Sequence, residues 1–177
     1  MSGLNGLVVY NTRQVEMPMQ PVSASAQTPD DVFGQRRQAA LSALSHADMA
    51  QLQKLYDETW WNKPIVSPIR GPETGLIMLR GRTGGGGAPF NLGEATVSRA
   101  SVRIDTGEVG HGYCLGRDTD KARLIAIIDA LFQREPDNVE FAILRPLNDT
   151  AYWADKKRRD ETAATKVDFF TMVRGED

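Results

Sequence analysis

Apolar positions recur every three or four residues from Asp30 onward, then every second residue in the middle of the chain. The stretch before about Pro29 keeps neither period. It carries Pro18, Pro21, Pro29 and a Ser-Ala-Ser-Ala run, with one short apolar segment at Leu7 to Tyr10. It reads as an extended or disordered arm, with Leu7 to Tyr10 alternatively a strand lent to a partner. Beyond it, Val32, Arg36, Ala40 and Leu44 follow one helical stripe, and Asp30 or Asp31 is placed to cap it. Ser45 is expected to cap a second helix, in which Met49, Leu52, Leu55 or Tyr56, and Thr59 recur. Trp60, Trp61 and Pro64 end it, and the tight connection predicts a helical hairpin.

The middle of the chain reads as β. Leu76-Ile77-Met78-Leu79 is apolar at successive positions, the pattern of an inner strand covered on both faces. The glycine run Gly84 to Gly87 interrupts it. From Ala95 to Ile104 the chain alternates, with Ala100, Val102 and Ile104 on one face and Val97, Arg99, Ser101 and Arg103 on the other. Asp105-Thr106-Gly107 suits a three-residue hairpin loop with glycine at the left-handed position, and Val109 to Leu115 returns as the partner strand. Asp118 or Thr119 opens a helix whose core stripe is Leu124, Ile127, Ile128 and Leu131. After the Pro136-Asp137-Asn138 break, Phe141 to Leu144 is too short to assign. A last helix is expected from Asn148 or Asp149 through Lys156-Lys157-Arg158-Arg159 to about Thr165, before the apolar stretch Val167 to Val173. The fold class is α+β: an N-terminal helical hairpin, a central mostly antiparallel sheet with a packed helix, and a long C-terminal helix followed by a terminal strand. Residues 1–29 form the arm and residues 30–177 one domain.

Composition narrows the chemistry. Lys plus Arg number 21 against 23 Asp plus Glu, a net charge of −2 over 177 residues, which argues against a dedicated nucleic-acid binder. One cysteine, Cys114, and two histidines, His46 and His111, leave no four-ligand zinc site of nitrogen and sulfur donors and no Ser-His-Asp set. His46 reads as an exposed polar residue near a helix start, and Cys114 as an inert buried thiol. No long apolar run suggests a membrane span and no basic-then-apolar leader opens the chain, so a cytoplasmic protein is expected.

Two constellations could carry anion chemistry. The run Gly84, Gly85, Gly86 and Gly87, flanked by Arg80 and Arg82, offers backbone N–H groups. It lacks both the lysine and hydroxyl of a phosphate loop and the third glycine of a dinucleotide loop, so a flexible strand connection is the plainer reading. The second is the hairpin face. The three-residue turn sets Ser101 opposite His111 and Arg99 opposite Tyr113, with Arg103 on the same side, a grouping suited to a phosphate or phosphonate. Its plainer reading is a solvated or subunit-facing surface. The basic run Lys156 to Arg159 reads as a solvated helix face, with Asp155 and Arg159 an i,i+4 pair. The apolar segment Phe169-Phe170-Thr171-Met172-Val173 calls for burial, in the chain's own sheet or in a partner.

Six blocks occur in an order that resembles the PhnG family, from about Asp31 to the end. They are Glu73-Thr74-Gly75-Leu76; Arg80-Gly81-Arg82 with the glycine run; Pro89 to Thr96; Arg99-Ala100-Ser101-Val102-Arg103; Leu115-Gly116-Arg117-Asp118; and Val167 to Gly175. The first 30 or so residues extend beyond the family's usual start, and Gly86 stands where many members carry threonine. The resemblance implies a subunit of the bacterial carbon–phosphorus lyase machinery. It would work with PhnH-, PhnI-, PhnJ- and PhnL-like partners, in two copies per core complex. Such complexes displace adenine from ATP with an alkylphosphonate, giving α-D-ribose 1-methylphosphonate 5-triphosphate ahead of carbon–phosphorus cleavage. ATP is then a substrate of the complex, and no cofactor is expected on this chain alone. No catalytic residue is carried over. Arg99, Ser101, Arg103, His111 and Arg117 become anion-binding or interface residues, and Trp60, Trp61, Phe169, Phe170, Met172 and Arg174 become subunit-contact residues. The competing reading is an independent nucleotide-binding enzyme built on the glycine run.

Overall fold

The computed structural model describes residues 28–60, 63–82 and 86–164. Two helices come first, α1 (Pro29–His46) and α2 (Met49–Thr59). Thr28, not Asp30, caps α1: its hydroxyl accepts from the Asp31 N–H while the Asp31 carboxylate accepts from the Thr28 N–H, a reciprocal capping box. Asp48 takes the capping role expected of Ser45, accepting from the N–H groups of Ala50 and Gln51. His46 therefore closes α1 instead of opening the next helix, its ring Nδ1 2.8 Å from the Ser42 carbonyl oxygen. The second half of the α1 stripe is as expected, but the first half sits one residue along. Ala40 and Leu44 are buried and Phe33 packs on Phe132, whereas Val32 is exposed and Arg36 pairs with Asp137 and Glu140 at the rim.

Three antiparallel strands follow in the order β1 (Val66–Arg82), β2 (Pro89–Ile104), β3 (Val109–Leu115). The β2–β3 hairpin has the expected register, and Gly107 in its turn takes φ +109°, open to glycine at no steric cost. Pro68 and Pro72 are tolerated because β1 is an edge strand, and the β1–β2 ladder is irregular around both.

Helix α3 (Thr119–Arg134) lies across one face of the sheet and is buried almost all round, with Leu124 through Phe132 enclosed. It approaches β3 unusually closely. A Cβ on Gly110 would fall 1.9 Å from the Ala126 carbonyl oxygen, and one on Gly112 equally close to that of Ala122. Small residues on both sides, two glycines against Ala122, Ala126 and Ala130, let backbone pack on backbone. The one buried charge in this layer, Asp129, is held by both arms of Arg37 from α1 (2.8 and 2.7 Å) and accepts the His111 N–H of β3 at 2.8 Å. A single carboxylate thus ties together α1, α3 and the sheet.

The chain continues through the short helix α4 (Pro136–Val139) and a π-helical segment, Glu140–Leu144, into α5 (Arg145–Ala164). Phe141 to Leu144 is thus helical, and the last helix starts three residues before Asn148. Asp155 pairs with Arg159 at 2.7 Å as the spacing predicts. The arm before Thr28 and the terminal strand lie outside the described residues.

The inner-strand expectation is overturned too. Leu76 to Leu79 is not an inner strand. It belongs to the edge strand, and the four side chains are 64, 40, 52 and 40% exposed. Strand β3 ends at Leu115, opposite Val97, while β1 and β2 pair on from Leu76–Thr96 to Arg82–Pro89. The far half of the hairpin is therefore a two-stranded ribbon beyond the third strand, with Phe90 and Leu92 also exposed. Apolar character at successive positions signals burial on both faces, but the core of this chain does not provide it.

Candidate functional site

The face of the sheet turned away from α3 is built by the odd-numbered residues of β2, because side chains alternate along a strand. Arg99 is the centre of its polar group. Its Nε donates to Glu73 Oε1 at 2.7 Å from across the β1–β2 ladder, and Arg70 of the same edge strand reaches that carboxylate at 2.5 Å. Tyr113, paired with Arg99 from β3, and Glu73 together raise the Arg99 pKa. The Arg99 hydrogen bond, helped by Arg70, holds the Glu73 carboxyl below its ordinary value. Arg99 is thus already partly neutralised within the chain.

One step along, Ser101 Oγ and His111 Nδ1 are 2.8 Å apart, as the hairpin register requires. The His111 backbone is pinned by Asp129, so this pair rests on a rigid base. No carboxylate among the described residues bonds to the ring, so the imidazole lacks the orienting group of a nucleophilic triad. Arg103 lies two residues beyond Ser101 on the same face, opposite Val109, exposed and without an ion-pair partner among the described residues. The structure therefore brings Arg99, Ser101, Arg103 and His111 together, in the grouping read from the sequence.

The other expected residues stand apart. Arg117 follows Gly116 (φ +90°) in the turn after β3, at the opposite end of that strand from Arg103. Gly86 and Gly87 lie at the ribbon tip; from Pro89 to Arg99 is ten residues of extended chain, about 34 Å at this rise. One small anion cannot be shared between the glycine tip and the arginine face. Gly84, Gly85, Trp61, Phe169, Phe170, Met172 and Arg174 lie outside the described residues. Trp60 is buried in this chain's own core, stacked on Tyr56 with its indole N–H donated to Glu135.

Glu73 is the participant that residue-by-residue reading missed. Its pairing with Arg99 depends on a ladder with irregularities on both sides of Arg70, which no periodicity reveals. Cys114 is buried, and burial pushes its thiol pKa up, the condition of an unreactive sulfur. A groove of about 530 Å³ opens between α1 and the π-helical segment, lined by Ala39, Ala43, Phe141, Leu144 and Arg145. It shares no residue with the sheet face, and its charged rim is occupied by the Arg36 ion pairs. Among the described residues no three metal-ligating side chains converge, and no helix is long and apolar enough to cross a membrane.

The described residues thus form an α+β body with a polar sheet face, on which Arg99 is paired with Glu73 and Arg103 is not, and with an uncovered apolar ribbon. Comparison with known proteins gives the family. The family model described as phosphonate metabolism protein PhnG matches residues 35–175, and the chain belongs to that family. It is similar to the alpha-D-ribose 1-methylphosphonate 5-triphosphate synthase subunit PhnG of Rhizobium meliloti (strain 1021). The two are 52% identical over 154 residues, which cover 86% of this chain and 98% of the relative.

Proposed function

We propose that this chain is the PhnG-type subunit of an alpha-D-ribose 1-methylphosphonate 5-triphosphate synthase. The observation that carries the reading is 52% identity across 98% of the Rhizobium meliloti subunit. In the reaction, the bond from ribose C1′ to the adenine nitrogen breaks, and a bond from C1′ to a methylphosphonate oxygen forms. Adenine leaves with the electron pair and takes up a proton. The companions are PhnH-, PhnI-, PhnJ- and PhnL-like subunits, with two copies of this chain in the core complex.

The geometry supports a positioning role for this chain. The Ser101–His111 pair lacks an orienting carboxylate, and Arg99 is committed to Glu73, so neither resembles an assembled catalytic group. Arg103 is the available guanidinium of the face. With a chain net charge of −2, attraction for an anionic substrate has to be local, and on this face Arg103 beside Ser101 and His111 supplies it. Arg103 serves there either a carboxylate of a neighbouring subunit or the phosphonate itself. The independent nucleotide enzyme gains no support, since Gly86 and Gly87 are remote from this face.

The test is co-expression of the tagged chain with its companions, followed by native mass and activity of the Arg103→Ala complex. A multi-subunit species containing this chain is expected. A solitary monomer that ignores its companions overturns the reading. An Arg103→Ala complex of wild-type mass and activity removes the electrostatic role and leaves the scaffold.

A further inference from the structure

The ribbon beyond β3 presents Leu76, Ile77, Met78, Leu79, Phe90 and Leu92 to solvent, each at least 40% exposed. Alternation puts Ile77 and Leu79 on the face of Arg99, and Leu76 and Met78 on the face that α3 covers further along. Both faces are therefore apolar and both are bare. A two-stranded ribbon of this kind is at best marginally stable in water by itself, and a partner lying against one side would leave the other exposed. The occupant has to bracket it.

Charge says more about that occupant. Arg80 and Arg82 lie toward the tip, opposite Asn91 and Pro89, and neither pairs with a carboxylate among the described residues; Arg82 reaches the Gly87 carbonyl at 3.5 Å. Glu94, opposite Met78, is the single acid of the ribbon. A second copy docked ribbon to ribbon would gather four arginines against two acids, one Glu94 from each copy. A lipid surface would have to take the arginine-bearing tip first into hydrocarbon. Neither suits the distribution; a protein cleft with acidic residues at its closed end does.

We propose that the β1–β2 ribbon is an insertion arm. It enters a cleft in a companion subunit whose two walls are apolar and whose floor carries carboxylates for Arg80 and Arg82. The inference rests on the subunit reading above and adds to it which part of the chain is gripped and by what chemistry.

The experiment uses the full chain co-expressed with its companions. A photoreactive benzophenone amino acid replaces Leu92 in one preparation and Met78 in another, one on each strand, and the cross-linked peptides are sequenced. Both are expected to join one companion, at segments combining aliphatic residues with Asp or Glu. Two double variants, Leu76→Gln with Met78→Gln and Arg80→Glu with Arg82→Glu, are each expected to lower recovery of that companion by about tenfold or more. The melting of the isolated chain should hardly change, because these side chains are exposed. Cross-links only between copies of this chain, or vesicle binding lost in the same variants while assembly persists, overturn the insertion arm. So does wild-type assembly by both double variants. If the unmodified chain never assembles, the subunit reading falls and the insertion arm with it.

Discussion

Substituting Gly112 by alanine probes the backbone-on-backbone packing of β3 against α3. The added Cβ would stand 1.9 Å from the Ala122 carbonyl oxygen and 2.8 Å from the Ala126 nitrogen, both main-chain atoms of a buried helix. Ordinary contact is about 3.4 Å, so α3 must retreat by roughly 1.5 Å or β3 must bend away. Either movement loosens the layer in which Ile125, Ile128 and Leu131 are wholly enclosed. Overpacking of this kind costs about 3 kcal/mol, offset by roughly 0.5–1 kcal/mol because alanine has less unfolded-chain freedom to lose. A net loss of about 2–2.5 kcal/mol is a large part of the stability of a small domain. Urea unfolding of the purified chain reads it as a midpoint lowered by about 1–1.5 M at a typical slope. Gly75→Ala is the control, since nothing lies within 4 Å of its added Cβ, and it should stay within about 0.5 kcal/mol of wild type. A Gly112→Ala protein as stable as wild type, or a Gly75→Ala protein equally weakened, would refute the close-packing argument.

Three further outcomes are expected. Arg37→Met leaves the Asp129 carboxylate, only 1% exposed, without its counter-ion; because Arg37 is itself 28% exposed, the cost falls near the lower end for broken buried pairs, about 3 kcal/mol by urea unfolding, and Arg37→Met with Asp129→Leu should recover part of it. The Arg99 hydrogen bond lowers the Glu73 pKa from 4.5, so the unfolded chain binds that proton first; the stabilisation is complete above the unfolded value and disappears as pH falls through the lower folded one. Melting of Glu73→Gln between about pH 6 and about pH 3 should accordingly show a flatter acid limb than wild type, and an identical limb would count against the Glu73–Arg99 contact. Cys114 should react with a thiol reagent only as fast as the protein opens, its rate rising with urea; labelling of the native protein within seconds would contradict its burial.

How far the chain could be read in advance depended on how local each signal was. Asp105-Thr106-Gly107 fixes the hairpin by its own turn chemistry, and the Ser101–His111 and Arg99–Tyr113 pairings follow by counting from it. The stripe of α3 was legible for the same reason, since Leu124, Ile127, Ile128 and Leu131 repeat over about two turns. In the first half of α1 the buried side lies one residue along from the apolar pattern, because Arg37 looks like a surface position until Asp129 is seen beneath it, whereas Ala40 and Leu44 are buried as their spacing predicts. The glycines of β3 were seen only as strand residues. The signal was present in Gly110 and Gly112, two apart, and Ala122, Ala126 and Ala130, four apart, small residues at the two periods that bring a strand and helix together. Leu76 to Leu79 failed for a deeper reason: apolar sequence records that a surface is to be covered and is silent on which chain covers it. Nor could spacing supply Glu73, whose partner depends on a long-range ladder with irregular steps.

The central claim, membership of a working synthase, is tested most directly by adenine release. The companion subunits are purified without this chain, supplied with ATP and methylphosphonate, and assayed for free adenine with and without the chain added back. Methylphosphonate-dependent release that appears only on addition is the expected result. Release at the full rate in its absence would contradict the account.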